Sequence, residues 1–197
     1  MPFRRPIVSK KKMPVRPNFS SRTKGPVYDI VDIASGEANW SLGQIARNPV
    51  LKIAAVDPAY KTAQLPGHVA RAKYTLEMLG QVVSGLTGVA FLRRLARSGG
   101  KTKFINCHMP ETANPGKHEF PAVLKLARKV LVPGGKISIT SESLGLLHGI
   151  HSGALKNGLV PEKPFELAGV NPETFHMARL MARGEKIYRL VVSKPGK

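Results

Sequence analysis

The residue types able to do chemistry concentrate between Tyr28 and Asp57, which reads YDIVDIASGEANWSLGQIARNPVLKIAAVD. Asp32 sits inside an apolar run, the small residues Ala34-Ser35-Gly36-Glu37-Ala38 follow, and Asp57 closes a second apolar run. Strand, tight turn, helix, strand, acid is the order that cradles a nucleoside. The turn lets backbone approach the ligand, and an acid closing the second strand accepts two ribose hydroxyls. Each residue also has a plainer reading. Asp57 caps the following turn, and Gly36 is an ordinary turn glycine. Asp32 either faces solvent on a short strand or, because a lone buried carboxylate is costly, meets loop amides or a cofactor amine.

Other polar groups are less organised. Glu111 follows Pro110, and Lys117 and His118 lie beyond it in the same polar stretch, FINCHMPETANPGKHEF. Cys107 is the sole cysteine, which excludes an intramolecular disulfide and suits a reducing compartment. Cys107, His108 and His118 match no common zinc spacing, and no metal is expected. Trp40 is expected in the core rather than stacked on a base. His148 and His151 share a helix face and read as surface or RNA-facing. The formal charge of +19 over 197 residues points to an acidic partner, nucleic acid above all. Arg93, Arg94 and Arg97 on one helix are candidates for phosphate contact. No long apolar run or basic amphipathic helix suggests a membrane.

These residues need a frame, and the chain supplies two parts. Residues 1–26 hold Arg4, Arg5, Lys10, Lys11, Lys12 and Arg16 among their cations, carry no acid and are broken by prolines. They read as a disordered basic arm suited to a phosphate backbone. A mitochondrial presequence is the competing reading, so the expected location is cytoplasmic, with mitochondrial as the alternative. Residues 27–197 alternate strand-like and helix-like segments. Strands are expected near 30–33, 51–56, 81–83, from 103 and over 136–139. Helices are expected near 40–47, 66–79, 89–97, 120–131 and 143–157. Pro133-Gly134-Gly135 is expected to end the fourth of these helices and turn the chain into the fifth strand. Two last strands, 175–181 and 186–193, are expected to form a hairpin across Gly184-Glu185. Repeated βα units with such a hairpin predict an α/β fold: a mostly parallel sheet with one antiparallel C-terminal strand and helices on both faces.

That order resembles the Rossmann-like class I methyltransferases, which use S-adenosylmethionine. The helix–Pro-Gly-Gly–strand unit at 120–139 and the final antiparallel hairpin carry the likeness. Two stretches, 104–120 and TFHMARLMARGEKIYRLVVSK at 174–194, are also similar to the tRNA (guanine-N7) methyltransferases. The resemblance implies S-adenosylmethionine as cofactor, held by Asp32, Ala34, Ser35, Gly36, Asp57 and, after the third strand, Thr87. It implies Glu111 as the acid that holds the target guanine, and Thr140 beside Lys117 and His118 on the RNA side. Guanine N7 already has a free lone pair, so the protein has only to align it with the methyl group and orient the base. A carboxylate does so by accepting from the guanine's Watson–Crick edge.

The chain departs from the family at several positions. Ala34 and Ala38 replace loop glycines, Thr87 replaces an acid, and Ser141 replaces the acid after the fifth strand. The loop tryptophan is absent, and Thr174-Phe175-His176-Met177 lacks the acid of the family's C-terminal element. Two readings therefore stand: an S-adenosylmethionine-dependent RNA methyltransferase, with tRNA guanine N7 as its implied target, or a degenerate methyltransferase fold that binds RNA, the ribosome or a ribosome precursor without turnover. The RNA is tRNA or rRNA in either case. A dehydrogenase-like domain is disfavoured, since G-x-G-x-x-G is absent.

Overall fold

The computed structural model describes residues 25–62, 64–108, 119–162, 165–167 and 175–196. The cations called out in the arm (Arg4, Arg5, Lys10, Lys11, Lys12 and Arg16) lie outside the described residues, as do Glu111, Lys117 and His118. The chain runs β1 (Val27–Ile33), α1 (Asn39–Arg47), β2 (Ile53–Val56), a short 3-10 turn (Pro58–Lys61), α2 (Gly67–Met78), β3 (Val82–Ser84), α3 (Gly88–Arg97) and β4 (Lys101–His108). It continues through α4 (Phe120–Val130), β5 (Leu131–Ser141), α5 (Leu144–Lys156), β6 (Val160–Pro161), β7 (Glu166–Leu167), α6 (Phe175–Ala182) and β8 (Tyr188–Ser193).

One sheet organises these elements in the order β3-β2-β1-β4-β5-β8-β6, with β7 also paired to β8. The five strands from β3 to β5 are parallel, and β8 runs antiparallel to β5. Alternation along the strands sorts the core into two layers. Val31, Ile33, Ile105, Cys107, Ile137 and Ile139 pack with α3, α4 and α5. Ile30, Ile53 and Ala55 pack with α1 and α2 on the opposite face. The helices show the matching stripes: α3 buries Val89, Phe91, Leu92 and Leu95 and leaves Arg93, Arg94 and Arg97 exposed.

Two expectations need correction. Residues 175–182 are helical, so no hairpin joins them to the last strand. Met177, Leu180 and Ile187 form a small core of their own, and the spacing of Met177 and Leu180 is a helix period. The antiparallel partners of β8 are β5, β6 and β7. Pro133-Gly134-Gly135, expected to lead into a strand, lies inside one. The helix has already ended at Val130, and β5 pairs Leu131 with Thr102 and Lys136 with Phe104, so residues 132–135 bulge opposite Lys103 alone. Gly134 takes the positive φ of 74° that the bulge requires, and its N–H donates to the Lys194 carbonyl.

Candidate functional site

The C-terminal edge of the parallel strands is where this architecture receives ligands. β1 and β2 end level, with Ile33 opposite Val56. The chain turns at Ala34, whose N–H donates to the Val56 carbonyl at 2.8 Å. Ala34, Gly36 and Ala38 have φ of 59°, 48° and 55°. Both alanines thus adopt the left-handed conformation natural to glycine, and the turn keeps its shape at an energetic cost. Apart from Gly36 and its two chain neighbours, no atom lies within 4 Å of the point where a Cβ would stand on Gly36, so that backbone borders open space.

Asp57 ties this loop to β2. Its Oδ2 accepts from the Gly36 N–H at 2.9 Å, and its Oδ1 accepts from the Ala59 N–H at 2.8 Å, which caps the 3-10 turn. A carboxylate has about four acceptor positions. Half-buried Asp57 therefore keeps acceptor capacity beside the open face of Gly36, which suits a pair of ribose hydroxyls. Tyr60 completes the support and was not foreseen. It is buried, its hydroxyl donates to the Gly36 carbonyl and lies 2.9 Å from Ser35 Oγ, and burial raises its pKa so that it stays a donor. Its position three residues after Asp57, in the first turn beyond the strand, was the available signal. Glu37 bonds Asn39 at 3.0 Å and pairs with His68 at 3.0 Å on the loop's outer side. Thr87 caps α3 by accepting from the Ala90 N–H at 3.2 Å. It follows β3, which lies beside β2, at the same sheet edge as Asp57.

A second group fills the α1 face of the sheet under this edge. Asp32 is fully buried; its Oδ2 accepts from Ser41 at 2.6 Å and its Oδ1 from Asn106 at 3.0 Å. The Asn106 amide also bonds His108 Nε2, and His108 Nδ1 lies 3.1 Å from Thr140 Oγ1. With Asn106 donating, Nε2 is the acceptor and Nδ1 carries the proton, donated to Thr140. Burial, reinforced by nearby Arg189, pushes the His108 pKa down to about 4, so the ring is neutral near pH 7. Trp40 packs over this ladder, stacked on Phe104 at 6.2 Å and edge-on to His108 at 5.7 Å.

Asp32 is thus buried, which corrects the solvent-facing alternative, and Ser41 and Asn106 are among its partners. Thr140 is fully buried and holds His108. Sequence reasoning missed Ser41, Asn106 and His108. The signal was period two along β4, where Asn106 and His108 share a face. Cys107, between them, points into the opposite core. His148 and His151 both pack edge-on to Phe165, at 4.5 and 6.0 Å. Among the described residues no group of three His, Cys, Asp or Glu side chains is placed to hold a metal ion. No helix among them is long and apolar enough to cross a membrane.

No family model and no curated protein matches the sequence. Solved structures match its fold. The antibiotic-resistance methyltransferase Kmr aligns at TM-score 0.58 and 14% identity, over 94% of this chain and 95% of its own. The 16S rRNA (adenine(1408)-N(1))-methyltransferase from Catenulisporales acidiphilia, solved with its cosubstrate SAM, aligns at TM-score 0.58 and 14% identity over 88% of each chain. The [4+2]-cyclase SpnF aligns at TM-score 0.57 and 12% identity, over 88% of this chain and 77% of its own. With this sheet order and the antiparallel β8, the chain has the Rossmann-like fold of the S-adenosylmethionine-dependent methyltransferases.

Proposed function

We propose that this chain is an S-adenosylmethionine-dependent RNA methyltransferase. The observation that carries the reading is the Asp57–Gly36 contact: an acid at the end of β2 bonded to the amide of a left-handed loop that faces open space. Such a group of residues binds a nucleoside through its ribose, with Thr87 on the adenine side, and the sheet edge orients the rest of the cofactor. The bound cofactor supplies an electrophilic methyl group. The chain's own work is to position the acceptor atom in line with it, which requires no metal and little acid–base help.

RNA as the substrate is supported by the net charge of +19 and by the likeness in fold to the Catenulisporales 16S rRNA methyltransferase. Fold alone does not decide chemistry, as the cyclase among the neighbours illustrates. The narrower target, guanine N7 of a tRNA, rests on the resemblance at 104–120 and on Glu111 as the base-holding acid. The test is transfer of a labelled methyl group from S-adenosylmethionine to total tRNA and to purified small ribosomal subunits, followed by mapping of the modified base. Label in tRNA at guanine N7, lost in Glu111→Gln, supports the narrower target. Label confined to 16S rRNA supports the wider one. RNA binding with no transfer to either substrate overturns the enzymatic reading.

A further inference from the structure

The opposite pole of the sheet, where the parallel strands begin, collects cations with few acids. Helices that return between parallel strands end at that pole, and their last turns are basic: Arg94 and Arg97 in α3, Arg128 and Lys129 in α4. None of α3, α4 and α5 contains an acidic residue. Lys101 opens β4 and donates to the Lys129 carbonyl at 2.8 Å, and Lys194, just past β8, donates to the Leu131 carbonyl at 2.7 Å. Both bonds place ammonium groups against the carbonyl end of α4, where the helix dipole is negative. Burial lowers the pKa of Lys194, and Lys101 and Arg128 lie close enough to lower it further, so both repel its charge. Asp29, on the neighbouring strand, is already engaged with Lys103 at 2.8 Å and with the Lys52 N–H at 2.9 Å.

The chain enters the fold at this same pole. The Pro26 carbonyl accepts from the Lys101 N–H, Val27 pairs with Lys101, and a Cβ on Gly25 would meet the Ser98 carbonyl at 2.2 Å. The sequence ahead of Gly25 carries eight Lys and Arg residues and no acid. The first described residue of the chain is therefore packed into the turn between the basic end of α3 and Lys101.

We propose that this pole, formed by Arg94, Arg97, Lys101, Arg128, Lys129 and Lys194, is a docking surface for the phosphate backbone of RNA, separate from the Asp57 edge. Clustered like charges cost stability unless a counter-charge is supplied, and a polyphosphate supplies it along its length while releasing its own counterions. The inference rests on the RNA reading above for the identity of the polyanion. Substrate would then be gripped at one pole while a distant part of the same RNA reaches the opposite edge.

The test is fluorescence anisotropy with a labelled RNA hairpin, with no cofactor present, over a range of salt concentrations. The full-length triple variant Arg97→Gln/Arg128→Gln/Lys129→Gln removes three exposed cations of the pole. Arg71→Gln/Arg179→Gln/Arg183→Gln removes three exposed cations elsewhere and serves as the charge-matched control. The pole variant is expected to bind at least about tenfold more weakly, with the slope of log K against log salt reduced by about two to three. The control is expected to change affinity less than about twofold. Thermal melts of both variants within a few degrees of the parent exclude unfolding as the cause. Equal losses in the two variants would overturn the proposal, because net charge alone would then explain binding. So would binding to phosphatidylserine vesicles that is lost in the pole variant while hairpin binding is not, which would assign the pole to a lipid surface. Since cofactor is absent throughout, failure to bind S-adenosylmethionine would count against the enzymatic reading without bearing on this result.

Discussion

Ala34 is the residue at which local strain and proposed function meet. An alanine at φ 59° occupies a region that costs an L-residue about 1–2 kcal/mol. Ala34→Gly is therefore expected to stabilise the fold, by roughly 0.5–1 kcal/mol after the greater entropy of glycine in the unfolded chain is subtracted. In a domain of this size that raises the melting temperature by about 1–4 °C. A lower melting temperature would show that the Ala34 methyl contributes more than its backbone costs. His108 gives a second prediction. Its pKa falls from the ordinary value of 6.5 to about 4 on folding, so below pH 6.5 the unfolded chain binds a proton that the folded chain refuses. Stability is then full above about pH 6.5 and declines as pH falls toward 4, by on the order of 3 kcal/mol at the limit. Denaturant melts of the parent and His108→Gln across that window check it: the parent's stability should fall more steeply. The site was half legible in the sequence. Asp57 and Gly36 could be located because an acid ending an apolar run and a glycine in a small-residue turn are local patterns. Ser41, Asn106 and His108 could not, because they converge on Asp32 through pairing of β1 with β4, a contact between residues 74 positions apart for Asn106.

At the scale of elements, the strands and helices up to α5 followed largely from period and punctuation: α3 buries one face and ends ahead of Gly99, and α5 ends ahead of Gly158. The C-terminal segment did not. Met177, Ala178, Arg179, Leu180 and Met181 are good helix formers, and 175–182 is helical and buries Met177 and Leu180 in a cluster with Ile187. The sheet contact that a hairpin would have made is taken instead by β6 and β7. The junction of α3 with β1 is a tight contact beneath the candidate site. A Cβ on Gly88 would stand 2.5 Å from Ile33 Cγ2, directly below the loop at Ala34. Gly88→Ala is expected to cost about 1–3 kcal/mol, because Ile33 is fully buried and has no room to move. Chemical denaturation measures this, and an unchanged midpoint would mean that α3 can slide without penalty.

For the molecule as a whole, the proposed functions fall on opposite poles of the sheet. The C-terminal edge carries Asp57, the left-handed loop and Thr87; the N-terminal edge carries the cations and the entry of the chain at Gly25. That charge imbalance was plain from composition, but its placement was not. The clustering arises from helix ends that are far apart in sequence and brought together by the parallel topology. Nucleoside binding at the Asp57 edge is tested by a calorimetric titration of S-adenosylmethionine into the full chain. Micromolar binding is expected, weakened at least about tenfold in Asp57→Ala and in the shape-conserving Asp57→Asn. No heat at millimolar cofactor, or equal affinity in the parent and both variants, would contradict it.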